Sequence, residues 1–348
     1  MDGPGGITVD GLRGFAAALL RAAGLEAAKA GVVAEVLAEA DLLGHDTHGV
    51  ALLPRYLEDL QSGVMARDGE PEVIADRGAT IAWNGRRLPG CWLVSHALDI
   101  GFERVGRFGM VGIAIGNAHH MGALAAYLER ATSRGLVLTM TTCAPGAATV
   151  APFGGLRGAL SPAPSAFGFP TGGDPVMVDI SASITTNNMA LRLAREGRRY
   201  DRPWLMDARG EPTDDPAVLQ KGGTVLPAGG TDHGQKGYGW ALQAEMLSQG
   251  LSGHGRADGP KGLANAAFIQ VIDPGAFAGL DAFTRQADAI AASCRASPPR
   301  PGRDAVRLPG ESGLRRKEAA LARGIALRPE TLSTLRPWAE KLSVPLPI

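Results

Sequence analysis

The densest group of reactive side chains is His45-Asp46-Thr47-His48-Gly49, two imidazoles, a carboxylate and a hydroxyl beside a glycine. Imidazole titrates near neutral pH, so the group suits proton transfer. Two other readings stand beside that one. The histidines could ligate a metal, although their spacing comes with no Cys/His partner motif nearby, and no metal site is assigned. The same residues could also simply finish a helix end.

Further candidates lie at turns. His119-His120-Met121-Gly122 follows the β-like run Met110–Gly116 at a strand-to-helix turn. Strand ends are where α/β proteins collect site residues, and helix N-termini favour anions; a surface histidine pair is the alternative. Gly234-Gln235-Lys236-Gly237-Tyr238-Gly239 enters a helix. Its glycines let backbone approach a ligand and its lysine adds charge, though a glycine-rich turn with a solvated lysine fits equally. Pro309-Gly310-Glu311 repeats that shape ahead of a later helix. Asp179 ends an apolar run and is followed by Ser181, Ser183, Thr185 and Thr186, which could cap a helix or bind phosphate. The common nucleotide signatures fail. No G-x-G-x-x-G opens a helix after a strand, and in the near-phosphate-loop Gly229–Lys236 it is Gln235 that stands where lysine is required.

The elements that must position these residues are legible by period. Val9, Leu12, Phe15, Leu19 and Leu20 recur at helical spacing after a cap at Thr8, and Glu26–Leu43 repeats the pattern up to Gly44. Thr80–Trp83, Met110–Ile115, Leu136–Thr142, Val176–Ile180 and Phe268–Ile272 read as strands. Helices are expected at Cys91–Arg107, Gly122–Arg134, Tyr238–Gly250, Ala276–Arg295, Gly313–Arg323 and Pro329–Leu342. Strands and helices alternate without a simple period or internal repeat, which makes the class α/β or α+β. Ala144–Pro175 and Ser297–Gly302 are the loop candidates. The first is far longer than a connection of about 4–6 residues, and such loops usually line a site or a subunit interface.

Composition narrows the class. The 348 residues are 45% apolar and 20% charged, enough for two or three packed lobes. Lys+Arg and Asp+Glu both number 35, so no basic excess points to nucleic acid or an anionic membrane. The zero net charge mildly favours self-association. Cys91, Cys143 and Cys294 are too few and too scattered for a disulfide framework. With no signal-peptide pattern or membrane-length apolar run, a cytoplasmic protein is expected.

Taken together, the segments resemble the malate/L-lactate dehydrogenase-like family, over nearly the whole chain. The resemblance rests on Ala40-Asp41-Leu42-Leu43-Gly44-His45-Asp46-Thr47-His48-Gly49-Val50 and Asn117-Ala118-His119-His120-Met121-Gly122. It runs on through Ala151-Pro152-Phe153-Gly154-Gly155, Val178-Asp179-Ile180-Ser181, Lys236-Gly237-Tyr238-Gly239, Arg295-Ala296-Ser297-Pro298-Pro299, Pro309-Gly310-Glu311 and Gly324-Ile325. Each segment is weak alone, but their order along one chain is specific.

The resemblance implies a non-Rossmann α/β fold with a largely antiparallel or mixed sheet flanked by helices. It also implies NAD or NADP, with NADPH slightly favoured, an intertwined homodimer, and hydride transfer to a 2-oxo acid or cyclic imine. The organisation it implies is a helical N-terminal segment at 1–75, a small α/β segment at 76–120, an NAD(P)-binding domain at 121–275 and C-terminal helices at 276–348. His48 then looks like the acid/base, Asp179 its supporting carboxylate, and His120 a second active-site histidine, described in some members as the proton acceptor. His45, Ser181, Ser183, Gln235, Lys236, Gly237, Gly310 and Glu311 match cofactor-contacting segments, while Thr47, Leu52 and Arg55 fall where substrate is bound.

The sequence departs from the family pattern in three places. The arginine usual four residues after the histidine is Leu52 here, with Arg55 three residues further on. A Gly-Thr-Asn-Pro stretch reads Ser161-Pro162-Ala163-Pro164, and a lysine after the Asp-bearing strand is Met189. These changes point to an imine-type or otherwise unusual substrate. They also leave a non-redox proton-transfer enzyme built on the retained His/Asp as the alternative.

Overall fold

The computed structural model describes residues 6–347. The helices are α1 (Val9–Ala22), α2 (Ala27–Leu43), α3 (Leu53–Gln61), α4 (Gly90–Phe108), α5 (Ala125–Thr132), α6 (Asn187–Arg195), α7 (Gly230–Glu245), α8 (Leu280–Ala296), α9 (Glu311–Arg323) and α10 (Pro329–Lys341). The strands are β1 (Glu72–Asp76), β2 (Thr80–Asn84), β3 (Met110–Ala118), β4 (Val137–Cys143), β5 (Ser165–Phe169), β6 (Val176–Ile180), β7 (Leu205–Met206), β8 (Pro212–Thr213), β9 (Thr224–Val225) and β10 (Asn265–Ile272).

Seven strands form one sheet in the order β1-β2-β3-β10-β4-β5-β6. Only β2 and β3 pair in parallel, joined by α4; every other neighbour in this sheet is antiparallel. A parallel pair needs a crossover of this kind, whereas antiparallel neighbours do not. The mixed sheet has no run of parallel strands on which a Rossmann dinucleotide site could form, in line with the missing glycine fingerprint.

Register decides which side chains meet. Ile81, Ile113, Ile269, Met140, Ala166 and Asp179 are successive partners across the sheet. Ile81, Ile113, Ile269, Met140 and Ala166 are buried in the main core, so this row faces inward. Paired residues on adjacent strands share a face, which puts Asp179, on edge strand β6, at the end of a hydrophobic row and toward α5. α4 and α5 pack on this side of the sheet, with α2 behind them. α7 and its terminal π-turn, Met246–Gly250, pack on the other side.

The expected boundaries are met closely for α1, α2, α4, α9 and α10, while α8 begins only at Leu280, after the expected Ala276, and α2 ends on Gly44 in a left-handed conformation. Gly44 has φ 86°, the backbone that closes a helix without a Cβ penalty. Other elements correct the sequence reading. α3, α6 and β1 stand where the sequence reading placed no element, although Leu53, Tyr56, Leu57 and Leu60 recur at helical spacing along α3. α7 begins at Gly230, ahead of the expected Tyr238, and finishes in π geometry. The long Ala144–Pro175 segment contains β5, which pairs with β4 on one side and β6 on the other. The rest of that segment is tied down by a buried polar knot. Ser161 Oγ donates to Glu245 Oε1 at 2.9 Å, and Arg256 donates to Glu245 and to the carbonyls of Pro145 and Ala147. Ser161 thus anchors the segment to α7. A smaller core of Val150, Leu160, Leu193, Tyr200, Leu205 and Val225 lies under the three-stranded sheet β8-β7-β9.

Candidate active site

The turn carrying His48 is built by Asp41. From the last turn of α2, its Oδ2 accepts the N–H of Val50 at 2.8 Å, drawing the chain back over the helix end. Gly49 passes so close to the Asp41 carboxyl that a Cβ there would land inside van der Waals contact of all three carboxyl atoms. Burial pushes the Asp41 carboxyl up to about 7, with the nearby Asp46 charge adding to the effect. From outside, Arg192 on α6 donates to Asp46 at 3.2 Å, Arg328 also pairs with Asp46, and Asn188 donates to the Thr47 carbonyl at 3.3 Å. The histidine-bearing turn is therefore held on several sides.

Thr47 Oγ1 lies 2.9 Å from His48 Nδ1, which leaves His48 Nε2 as the nitrogen available for proton exchange. Burial lowers the His48 pKa from its usual value; Asp179 counteracts this, and His45 adds to the depression. Asp179, reached by the sheet register, accepts the N–H of Ala125 at 2.8 Å and so caps α5 while lending negative potential to His48.

The two histidines after β3 diverge. His119 turns inward, its Nε2 2.9 Å from Asp59 Oδ2, and Arg55 donates to the same oxygen at 2.9 Å. His120 turns to the site, its ring stacked on His48 with centroids 5.9 Å apart and an interplanar angle of 25°. Its Nδ1 is 2.8 Å from the Tyr56 hydroxyl and accepts the Gly122 N–H at 3.2 Å. Burial, then the neighbouring His48 and His119, pushes its pKa down to about 3, so His120 is neutral at any working pH.

A cavity of 630 Å³ adjoins this group. It is lined by Leu43, Gly44, His45, Ala125, residues 177–180 of β6 including Asp179, and Arg307, Pro309, Gly310, Ser312, Gly313 and Arg316. Of the sequence candidates, His45, Asp179 and Gly310 meet there. Ser181, Ser183, Gln235, Lys236 and Gly237 form a separate group. Ser181 Oγ donates to the Ser183 carbonyl and Ser183 Oγ to that of Thr185, while Gly237 packs on the backbone of Ala182 and Ala228. Gln235 and Lys236 are exposed on the first turns of α7. Glu311 is held by Arg295, whose Nη2 lies 2.6 Å away. Leu52 packs against the main core at the end of the short helical turn Val50–Leu52, and Arg55 is committed to Asp59. Sequence reasoning missed Asp41 as the brace of the turn, Tyr56 as the partner of His120, and the cationic pair Arg307 and Arg316. The first lay inside the quoted motif; the arginines stand far from it along the chain.

A family model described as malate/L-lactate dehydrogenase matches residues 7–336. The chain belongs to the malate/L-lactate dehydrogenase family. An L-lactate dehydrogenase of Cupriavidus necator is 31% identical over 98% of the chain and 99% of its own length. Among solved structures, a malate dehydrogenase from Entamoeba histolytica superposes with a TM-score of 0.92 at 24% identity, covering 99% of both chains. A Δ1-piperideine-2-carboxylate reductase from Pseudomonas syringae superposes with a TM-score of 0.84 at 25% identity, covering 97% of this chain and 100% of that one.

This family member is an NAD(P)-dependent oxidoreductase, and the cavity suits such a cofactor. Its size falls within the roughly 300–1,000 Å³ of ordinary ligand pockets. Arg307 and Arg316 bring guanidinium groups to a wall of Gly44, Gly310 and Gly313, beside the start of the 13-residue helix α9. Arginine forks and helix N-terminal amides are both suited to phosphate. At Gly310, with φ 95°, a Cβ would crowd Met177 at 3.0 Å, so only glycine leaves this wall undisturbed. Among the described residues no group of three or more His, Cys, Asp or Glu is placed to hold a metal, and no helix is long and apolar enough to cross a membrane.

Proposed function

We propose that this dehydrogenase interconverts a 2-oxo acid or cyclic imine with its reduced form, using His48 as the acid/base. The observation that carries the reading is the His48–His120 stack, with Asp179 supporting His48 from one side and bordering the cavity on the other. When bound, the nicotinamide supplies or removes the hydride. His45, Gly310, Arg307 and Arg316 would hold the cofactor in the cavity, with the Ser181–Ser183 and Gln235–Gly237 segments and Glu311 contributing around it. His48 gives its Nε2 proton to the carbonyl oxygen or imine nitrogen as hydride arrives, and Asp179 stabilises the imidazolium beforehand. Thr47 holds the ring by its other nitrogen. Supporting the breadth of substrate, both a lactate dehydrogenase and a piperideine-2-carboxylate reductase stand among the similar proteins.

Substrate choice turns on Leu52. An arginine fork binds a carboxylate by two charge-assisted bonds, and Leu52 offers none. Arg55 is already paired with Asp59, so the substrate presents apolar surface to Leu52. We read the protein as a cytoplasmic homodimer, with NADPH slightly favoured over NADH. The test is a steady-state assay of pyruvate, oxaloacetate and Δ1-piperideine-2-carboxylate with both cofactors, alongside Leu52→Arg. The small 2-oxo acids should be poor substrates and should gain about a hundredfold in kcat/KM from the substitution. Ordinary efficiency of the unmodified enzyme on pyruvate would remove Leu52 from its specificity role. Failure to bind either cofactor, read as no rise in melting temperature, would remove the redox reading altogether.

A further inference from the structure

We infer that Lys317 is a positioning residue for the cofactor cavity, its ammonium joining α2, α5 and α9 one helical turn behind the residues with which each of these helices lines that cavity. The inference rests on the reading of the cavity as the cofactor site.

The three helices converge on one nitrogen. Lys317 Nζ on α9 donates to Glu39 Oε1 on α2 at 2.6 Å and to Glu129 Oε2 on α5 at 2.5 Å. Each of these residues stands four positions from a residue of the cavity wall, Glu39 before Leu43, Glu129 after Ala125 and Lys317 after Gly313. Four residues advance a helix by about 6 Å and return to nearly the same face. The bridge therefore backs the wall on all three helices at once. Burial disfavours the charged ammonium, but the bonds to Glu129 and Glu39 outweigh it and raise the Lys317 pKa, so the cation persists at working pH.

Among the described residues little else fixes α9. None of its residues is buried, and Leu314 and Ala320 pack only in part against the main core. Gly313 lies against the Leu43 carbonyl, where a Cβ would stand at 3.2 Å, and Arg316 lies against Gly44. These close approaches bring the helix to the cavity but offer it little apolar surface to lock against. Its other ion pair, Glu311 with Arg295, ties it to α8, away from the cavity wall. Glu39, Glu129 and Lys317 also border a second cavity of 520 Å³, so no packed side chains take over the bridge on that side. Without the ammonium, the two carboxylates that share it face each other as like charges across α2 and α5. α5 begins at the amide that Asp179 accepts, so a shift of this helix reaches the carboxylate beside His48.

The test measures cofactor affinity by calorimetry and amide hydrogen exchange of the cofactor-free, full-length enzyme. Lys317→Met should weaken NADPH binding about tenfold and speed exchange at the starts of α5 and α9. Lys317→Arg keeps the charge and offers several donors, and it should restore both readouts. As a control, Arg104→Met removes the ion pair that joins α4 to Asp76 on β1 at 2.7 Å, outside the cavity wall, and should leave both unchanged. Wild-type affinity and exchange in Lys317→Met overturn the inference. An equal loss in Arg104→Met overturns it too, since the effect would then be general loosening. If Lys317→Met does not fold, Glu129→Gln decides: this variant weakens only the arm to α5 and should lower affinity and speed exchange at the start of that helix, and wild-type values overturn the inference. If the wild type binds neither NADPH nor NADH, the cofactor reading fails, and the exchange data alone decide on Lys317.

Discussion

Gly49→Ala should cripple the enzyme without touching a reactive group. Gly49 has φ −93°, outside the left-handed region, and the cost is read from the contacts that a side chain there would make. A Cβ placed there would approach Asp41 Cγ, Oδ1 and Oδ2 more closely than 3.0 Å, a distance real Cβ atoms essentially never show. Ordinary contact needs about 3.5–4.0 Å, so the carboxyl must retreat by about an ångström. Asp41 is largely enclosed, and that movement breaks its 2.8 Å bond to the Val50 N–H. Overpacking a filled site costs about 1–3 kcal/mol. Losing a buried hydrogen bond adds about 1–3 kcal/mol, giving roughly 2–6 kcal/mol together. Val50 and His48 flank the displaced glycine, so the imidazole shifts too, and a 1 Å misplacement of this kind costs about 10² in turnover. The assay is chemical denaturation and steady-state kinetics beside Gly31→Ala, a control in α2 where a new Cβ meets nothing within 4 Å. The control should keep full activity and gain slightly in stability. A Gly49→Ala enzyme matching the wild type in both stability and kcat would refute the role given to Asp41.

Two buried groups set opposed pH dependences of stability. Asp41, raised from 3.8 to about 7, binds its proton more tightly folded than unfolded, so its contribution declines as pH rises through that window. His120, lowered from 6.5 to about 3, makes stability decline as pH falls from 6.5 toward 3. Asp41→Asn removes the first and leaves the second, so its melting temperature should fall more steeply than the wild type's between pH 6.5 and pH 4; parallel curves would contradict this. The homodimer reading predicts twice the chain mass of 36.0 kDa by light scattering at micromolar concentration, and a monomer there would refute it.

How much was legible in the sequence follows from how local each feature is. The periodic apolar faces of α1 and α4 and the glycine that ends α2 are encoded within a few residues, and they stand where expected. β5 is the opposite case. Ser165–Phe169 lies in a Gly/Pro-rich stretch, and what makes it a strand is pairing with β4 and β6 on either side, a tertiary fact. α3 went unread although Pro54 near its start is a recognised opening signal. With it went Tyr56, whose aromatic ring reads as one more core residue until its hydroxyl is seen against His120. His48, His120 and Asp179 were legible from motif order. That Asp179 reaches the site by ending an inward-facing row of Ile81, Ile113, Ile269, Met140 and Ala166 required the register. Arg307 and Arg316 join Gly44 only through folding, since nothing in the intervening chain links them.

The central claim is that His48 carries the transferred proton, and the most direct measurement compares His48→Ala with the wild type in single-turnover oxidation of bound NADPH. Turnover should fall by about 10²–10⁴ while the cofactor still raises the melting temperature as it does for the wild type. Near wild-type oxidation by His48→Ala, with cofactor bound, would contradict the account.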